Sequence, residues 1–163
     1  MSRSETGPRT PARTSMVLNR LGTRAMVSFL DRKWTVVLLV PVSVGELVDK
    51  ITILKIKVHK LPKHLAASAE RELQFLEDAL NSSLYGDKVS SKLIADLERV
   101  NRRLWDVEDR LRELEQNQDF RSEFVELARS VYRLNDERFV IKKEINSTLN
   151  SEIVEVKSHN FAL

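Results

Sequence analysis

The chain has no cysteine, and only four glycines and four prolines occur among its 163 residues. Without cysteine, disulfide bonds, thiol catalysis and cysteine-ligated zinc sites are excluded. Because glycine and proline mark the turns between strands, their scarcity argues against a sheet-rich architecture. Apolar residues make up 42% and charged residues 31% of the chain, which is typical of a helical protein with a buried core.

Sequence motifs that carry chemistry are equally scarce. The three histidines, His59, His64 and His159, do not have the spacing of metal ligands, and neither HExxH nor ExxH is present. No glycine-rich phosphate loop and no GxSxG nucleophile motif occurs. We therefore expect no cofactor and no metal, and we assign no catalytic residue. The sequence favours a protein that is not an enzyme.

Positive charge is concentrated at the N-terminus. Residues 1–33 contain seven basic and two acidic residues, a net of +5, which leaves 20 basic and 22 acidic residues in the remaining chain, a net of −2. The sequence pI of about 9.3 therefore reflects the first 33 residues. We predict a disordered basic extension over residues 1–33, followed by a single helical domain over residues 34–163 that does not bind nucleic acid.

Three explanations of this extension remain open: a plain tail, an organellar transit segment, or a reading frame extended upstream of a natural start at Met26. The apolar run WTVVLLVPV that follows it is too short to cross a bilayer, so no transmembrane segment is expected.

Two short segments near the ends of the predicted domain are rich in β-branched residues. Residues 35–42 read TVVLLVPV, and residues 151–158 read SEIVEVKS, in which apolar and charged positions alternate. Both patterns predict short strands. Because two isolated strands are marginal in water, we expect them to pair as a clasp packed on the helices.

Four helical segments are predicted between these strands. The first begins where Ser43 and Glu46 have the spacing of a capping box, in which each side chain accepts a hydrogen bond from the other residue's backbone N–H. Pro62 is predicted to stop this helix or to open the second. Apolar residues recur every three or four positions in the first segment at Leu47, Ile51, Leu54, Val58 and Leu61. In the second segment they are Leu65, Ala69, Leu73, Leu76 and Leu80.

The third and fourth segments have the most regular apolar spacing. In the third, the apolar stripe is Leu93, Leu97, Val100, Leu104, Val107, Leu111 and Leu114. In the fourth, it is Phe120, Phe124, Leu127, Val131, Leu134, Arg138, Ile141 and Ile145. Between them lies the break QNQD, where Asp119 is placed to cap the fourth helix. The two should fold back on each other, so the predicted fold class is all-α, an antiparallel four-helix bundle with coiled-coil-like packing.

A second stripe of polar and aromatic residues runs one position beyond the apolar one. On the third helix it is Asn101, Trp105, Glu108 and Arg112, and on the fourth it is Ala128, Tyr132, Asn135, Phe139, Lys142 and Asn146. If these stripes face each other, or face Glu46, Asp49 and Lys50 of the first helix, they line a polar groove of the kind in which helical bundles hold ligands. The structural alternative is that the charged residues form ion pairs beside the apolar stripe.

Three blocks of the sequence are distinctive in combination. They are PVSVGELVDKITILKIK, VNRRLWDVEDRLRE, and FVELARSVYRLNDERFVIKKEIN followed by EVKS. From about Val40 to Ser158 the chain resembles a family of small bacterial proteins of unknown function, whose genes lie near those for lipopolysaccharide or other surface polysaccharides. The resemblance implies no catalytic residue. It marks a candidate polar groove at Glu46, Asp49, Lys50, Asn101, Trp105, Glu108, Arg129, Tyr132, Asn135, Lys142 and Asn146.

We therefore predict a cytoplasmic, non-enzymatic helical protein that binds a protein partner or another copy of itself, in a surface-polysaccharide context. The alternative is a small-ligand binder or enzyme that holds an anionic substrate in the polar groove, with Arg129, Lys142, Lys50 and Glu108 as its charged groups. Convergence of Trp105, Tyr132, Asn135 and Lys142 on one pocket would favour this alternative. A third hypothesis is that the basic extension binds a membrane or nucleic acid.

Overall fold

The computed structural model describes residues 38–156, and four α-helices make up most of this range. In chain order they are α1 (Val44–Lys60), α2 (Lys63–Asn81), α3 (Ser91–Gln116) and α4 (Ser122–Thr148). All four lie within one compact unit, Val40–Leu163. The predicted all-α fold is confirmed for the described residues, and the predicted N-terminal extension, residues 1–33, lies outside them.

Local signals place the start and the end of α1. Ser43 precedes the helix, and its Oγ accepts a hydrogen bond from the backbone N–H of Glu46 at 3.1 Å. This is one half of the predicted capping box, whereas the Glu46 carboxylate accepts a hydrogen bond from Lys142 of α4. Pro62 directly precedes α2 with a φ of −55°, so it both terminates α1 and opens α2, as expected for a residue that lacks a backbone N–H.

The helices pack around α1, which contacts each of the other three. α3 and α4 form an antiparallel hairpin. The ion pairs Arg103–Glu137 and Arg110–Glu123 show this, because the residue number rises along α3 while it falls along α4. Among the helices, α2 packs only on α1. The core residues are Val44, Val48, Ile51, Leu80, Leu93, Leu97, Val100, Leu104, Leu134, Ile141 and Ile145.

The apolar stripe on α3 is buried beside α1 and becomes partly exposed where α1 ends, although Leu114 near the hairpin tip is again only 3% exposed. Leu97 and Val100 have no exposed surface (0%), whereas Val107 and Leu111 of the same stripe are only half-buried. The exposed fraction rises where α1 ends. Lys60 is the last residue of α1, and its Nζ donates to Asp106 Oδ1 at 2.5 Å, which places the end of α1 beside Asp106. From Asp106 to the end of α3 the hairpin continues for about 15 Å without α1. We call residues 105–133 the outer half of the hairpin.

A left-handed residue ends α3. Gln118 has a φ of 52°, its N–H donates to Glu115 O at 3.0 Å, and the next N–H, of Asp119, donates to Leu114 O at 2.9 Å. These two bonds form the Schellman arrangement, which satisfies carbonyl groups that the helix end leaves without a partner. The break predicted at QNQD is therefore a tight, hydrogen-bonded helix terminus.

The predicted capping role of Asp119 is wrong. The residue that precedes α4 is Arg121, and no side chain caps it. Asp119 Oδ1 accepts from the backbone N–H and from Nε of Arg121 at 3.2 and 2.7 Å, and these bonds lower the pKa of Asp119 to about 2. Because the left-handed turn at Gln118 uses one more residue than a simple break, the helix begins later than the sequence suggested.

Replacing Gln118 with glycine should raise the free energy of unfolding by about 0.5–1 kcal/mol. Glycine adopts positive φ without the steric strain of a Cβ atom, although it loses more chain entropy on folding. Urea unfolding followed by circular dichroism measures the change. Asn117→Gly is the matched control, because Asn117 has a φ of −85° and should gain nothing from glycine. A less stable Gln118→Gly protein would contradict the left-handed turn.

The predicted strand clasp does not form within the described residues. Residues 38–42 and 151–156 carry no strand, and residues 35–37 and 157–158 lie outside the described range. The end of α4 is instead closed by Asn150, whose φ is 51°, and Glu155 folds back to pair with Lys142 at 2.5 Å. A side-chain ion pair with α4 therefore holds the segment that was expected to pair as a strand.

Candidate functional site

Polar side chains, five of them buried, lie where α1, α3 and α4 meet. We call this group the polar cluster, and its members are Glu46, Asp49, Thr52, Asn101, Arg138, Lys142, Asn146 and Glu155. Asp49, Asn101, Lys142 and Asn146 are each at most 4% exposed. Burial of such groups is costly unless each finds a partner, so their contacts decide what the cluster does.

The closest approach in the cluster joins the start of α1 to α4. Gly45 N–H donates to Asn146 Oδ1 at 2.7 Å, and this bond is buried. A Cβ atom on Gly45 would lie only 2.6 Å from the backbone oxygen of Lys142. The missing side chain of Gly45 therefore lets the two helices approach, and the Asn146 amide satisfies an N–H that the first turn of α1 leaves free.

Lys142 of α4 lies between α1 and the C-terminal segment that follows α4. Its Nζ donates to Glu46 Oε2 at 2.8 Å and pairs with Glu155 Oε2 at 2.5 Å, while its own side chain is 5% exposed. Burial lowers the pKa of Lys142, but the hydrogen bonds to Glu155 and Glu46 outweigh it, so the pKa lies above its ordinary value. The ammonium group is therefore charged at neutral pH and shared between two carboxylates.

Asp49 is the buried acid of the cluster. Its Oδ1 accepts from Asn101 Nδ2 at 2.8 Å, and the same amide donates to Thr52 Oγ1 at 2.9 Å. Arg138 Nε lies 3.8 Å from Asp49 Oδ2, a longer contact than a hydrogen bond. Asn101 Oδ1 is buried and has no hydrogen-bond partner within the described part of the chain.

Burial raises the pKa of Asp49 above its ordinary value, even though the Asn101 hydrogen bond and the charges of Arg138 and Lys142 oppose this shift. The site therefore stabilises the charged carboxylate less well than water does. A protonated Asp49 gains a donor, and the amide of the neighbouring Asn101 has a buried acceptor, Oδ1, without a partner. Burial therefore makes the negative charge of Asp49 costly in the folded chain.

The contacts within the cluster fix how the three helices meet. Each charged group already has a partner of opposite charge in this chain, and a buried polar network of this kind specifies one register between helices. No group of histidine, aspartate and glutamate residues in the described range is arranged to hold a metal ion. The cluster's geometry is that of a structural network that joins α1, α3 and α4.

The structure brings together five of the eleven predicted groove residues, and it separates the others. The five that meet in the polar cluster are Glu46, Asp49, Asn101, Lys142 and Asn146. Lys50 faces α2 and pairs with Glu72 at 2.6 Å. Arg129 pairs along α4 with Glu126 at 2.7 Å, and Asn135 donates to Val131 O at 3.0 Å.

The remaining three, Trp105, Glu108 and Tyr132, belong to the outer half of the hairpin. Tyr132 is 55% exposed, and it lies ten residues before Lys142 on α4, about 15 Å along the helix axis. Of the charged residues named for the small-ligand alternative, Glu108, Arg129 and Lys142 are therefore spread along the hairpin, and Lys50 lies on α1 facing α2.

The sequence pattern missed four residues of the cluster region: Gly45, Thr52, Arg138 and Glu155. Arg138 carried a signal, since it is the single charged residue in the apolar stripe of α4. Gly45 also carried one, because a glycine in the first turn of a helix lowers helix propensity and so suggests a close contact. Thr52 and Glu155 had no such signal, since their roles depend on how α3 and the C-terminal segment approach α1 and α4.

The outer half of the hairpin carries the uncovered part of the second stripe. Together with Val125, which lies one turn before Ala128 on the same side of α4, we call it the outer groove, and its residues are Trp105, Glu108, Arg112, Val125, Ala128 and Tyr132. The same stripe faces α1 further down the hairpin, where Asn101 and Lys142 contact it. The opposite faces of α3 and α4 are joined by Arg103–Glu137 and Arg110–Glu123. The outer groove is therefore the continuation of the surface on which α1 packs.

Comparison with known protein families supports the predicted membership of a family of unknown function. Neither a curated protein nor a solved structure matches the chain. Among the described residues, no helix combines the length and the apolar character needed to cross a membrane. One family matches residues 38–163, a range that includes all four helices and the polar cluster. The chain therefore belongs to the family of unknown function known as DUF6165.

Proposed function

We propose that this protein acts by self-association, as a helical interaction module and not as a catalyst. The observation that carries this proposal is the outer half of the hairpin. There, two long helices continue past the end of α1, and the apolar stripe of α3 is only half-buried at Val107 and Leu111, whereas Leu114 is buried. Helices with such a stripe are normally covered by a further helix.

Exposed apolar side chains on the same half of the hairpin support the proposal. Val125 is 42% exposed, Tyr132 55% and Phe120 53%. Aromatic residues of this kind are enriched in protein interfaces, whereas an ordinary solvated helix face is dominated by charged residues. These three apolar side chains are exposed among the charged residues of the outer half, and they are the part of its surface that a partner would cover.

The small-ligand alternative has less support from this geometry. An anionic ligand at Lys142 would have to displace Glu46 or Glu155, both of which already pair with its ammonium group. Trp105 and Tyr132 lie in the outer half of the hairpin, away from Lys142. The cytoplasmic location and the surface-polysaccharide context remain proposals that depend on the sequence resemblance.

Sedimentation velocity of the full chain tests self-association. We expect the mean mass to rise with concentration from the chain mass of 18.8 kDa towards twice that value. The interface would be smaller than the 20–30 residues a side of a standard complex, so the dissociation constant should be on the order of 10 µM.

Salt distinguishes this proposal from association through the basic extension. Apolar contacts should persist at about 1 M salt, where the Debye length is only about 3 Å, whereas association through residues 1–33 should be lost. A chain that remains monomeric at concentrations of about 300 µM would contradict the proposed self-association, because that is far above the expected dissociation constant.

A further inference from the structure

We infer that a second copy of this chain docks in the outer groove, with the two hairpins pointing in opposite directions around a two-fold axis. The inference rests on the proposed self-association and adds the surface, the orientation and the residues in contact. Its basis is that the outer groove is complementary to itself on both α3 and α4.

The first self-complementary feature is a charge pair on α3. Glu108 and Arg112 lie one helical turn apart on the outer groove, and within one chain Arg112 Nη2 donates to Glu108 Oε2 at 3.0 Å. Their side chains are 47% and 63% exposed, so both remain available to a partner. If a second α3 packs antiparallel with its centre at residue 110, Glu108 of each copy faces Arg112 of the other. Opposite charges across an interface select the register in this way.

The second feature is the apolar surface of α4. Ala128 is exposed, and Val125 and Tyr132 lie three residues before and four residues after it. With an antiparallel α4 centred on Ala128, the two alanines face each other and allow close approach of the backbones. Val125 of each copy then lies near Tyr132 of the other, which covers the exposed aromatic ring.

A single two-fold axis satisfies both features. The ion pair Arg103–Glu137 places residue 110 of α3 level with residue 130 of α4, and the ion pair Arg110–Glu123 places it level with residue 123. Ala128 lies between these two limits. The centre of the charge pair on α3 and the centre of the apolar surface on α4 therefore lie within about 8 Å of each other along the hairpin axis.

The position of α1 determines the orientation of the second copy. α1 lies on the same face of the hairpin and ends beside Asp106. If both hairpins pointed in the same direction, the two α1 helices would meet and hold the outer grooves apart, because a helix is about 10 Å thick. Opposite orientation places the two α1 helices at opposite ends of the paired region. With the centre at residue 110, Gln116 of one copy lies opposite residue 104 of the other, so each hairpin tip meets the C-terminal end of the other copy's α1.

Charge reversal tests the arrangement in the full chain. Glu108→Arg and Arg112→Glu each place like charges opposite one another twice, once on each side of the axis, and each should weaken the dimer about tenfold. The double variant restores both contacts, so its dissociation constant should return to within about threefold of the original value. Sedimentation velocity measures all four proteins.

Two further variants separate the surface from general effects on the protein. Ala128→Arg places two positive charges at the axis, and we expect the dimer to weaken by more than about thirtyfold. Glu113→Arg is the matched control, since Glu113 is on α3 but pairs with Arg110 on the other face, and it should leave the dimer within about threefold of the original. The melting temperature of each variant checks that the fold is retained.

The outcomes distinguish this inference from the proposed function. A chain that dimerises but is unaffected by Ala128→Arg and by the single charge reversals self-associates through another surface, which overturns the inference alone. If Glu108→Arg and Arg112→Glu each weaken the dimer and the double variant does not restore its dissociation constant, the two-fold register is also overturned. A chain that is monomeric at all concentrations overturns both, and leaves the outer groove to a different protein.

Discussion

Replacing Gly45 with alanine is expected to lower the free energy of unfolding by about 2–3 kcal/mol. The added Cβ atom would lie 2.6 Å from Lys142 O and 3.0 Å from Asn146 Oδ1, so α1 must move away from α4. That movement lengthens the buried hydrogen bond from Gly45 N–H to Asn146, which is 2.7 Å in the native contact. Urea unfolding followed by circular dichroism measures the loss.

Helix propensity alone predicts the opposite result, since alanine is favoured over glycine in a helix by about 1 kcal/mol. The sign of the change therefore decides whether α1 and α4 are in contact at Gly45. His64→Ala is the matched control, because His64 is the second residue of α2, as Gly45 is of α1, and it is exposed. It should alter stability by less than about 0.5 kcal/mol. A Gly45→Ala protein that is more stable would refute the contact.

Substitution of Asp49 is expected to give two opposite results. Asp49→Asn keeps an oxygen that accepts from Asn101 Nδ2, removes the buried charge, and adds an N–H to a site in which the Asn101 Oδ1 acceptor has no partner. We expect this variant to be at least as stable as the natural chain at pH 7. Asp49→Ala leaves the Asn101 donor without that acceptor, and it should be about 2 kcal/mol less stable than Asp49→Asn. Equal stability of the two variants would contradict the buried hydrogen bond.

The same variants separate the pH dependence of Asp49 from that of other acids. Because burial raises the pKa of Asp49, the folded chain holds this proton more tightly than the unfolded chain does. The contribution of Asp49 to stability is therefore fully present below its ordinary pKa of 3.8 and is lost as the pH rises through the raised value. Asp119, with a pKa of about 2, has the opposite sign, and its contribution is lost as the pH falls.

Subtracting the stability of Asp49→Asn from that of the natural chain at each pH cancels the effect of Asp119 and isolates Asp49. We expect this difference to decrease as the pH is raised from about 3.8 towards neutrality. A difference that increases over this range would show that the folded chain stabilises the Asp49 carboxylate, and would contradict the raised pKa.

Much of the fold could be predicted because its signals are local. Ser43 and Glu46 mark the start of α1, Pro62 separates α1 from α2, and the spacing of apolar residues predicts which side of each helix is buried. These features act over one or two helical turns, so a single sequence contains them. The prediction that Asp119 caps α4 was wrong because the left-handed turn is at a glutamine, Gln118, and no glycine in the sequence indicates it.

The candidate groove was predicted only in part, because residues that share one sequence pattern are buried in one part of α3 and exposed in another. Asn101 and Glu108 lie on the same stripe of α3, yet Asn101 is 4% exposed and Glu108 is exposed. Nothing in the periodicity of α3 distinguishes them. Asn101 lies beside α1, where it bonds Asp49 and Thr52, and Glu108 lies beyond the end of α1.

The sequence by itself determined the four helices, their apolar faces and the polar stripe beside them. Only the tertiary structure decided which part of that stripe is buried and which part is open. The physical reason is a difference in length: α1 has 17 residues and α3 has 26, which correspond to about 26 and 39 Å. Where α1 is present, the stripe forms a buried polar cluster, and where α1 has ended, the same stripe remains as a groove that another helix can cover.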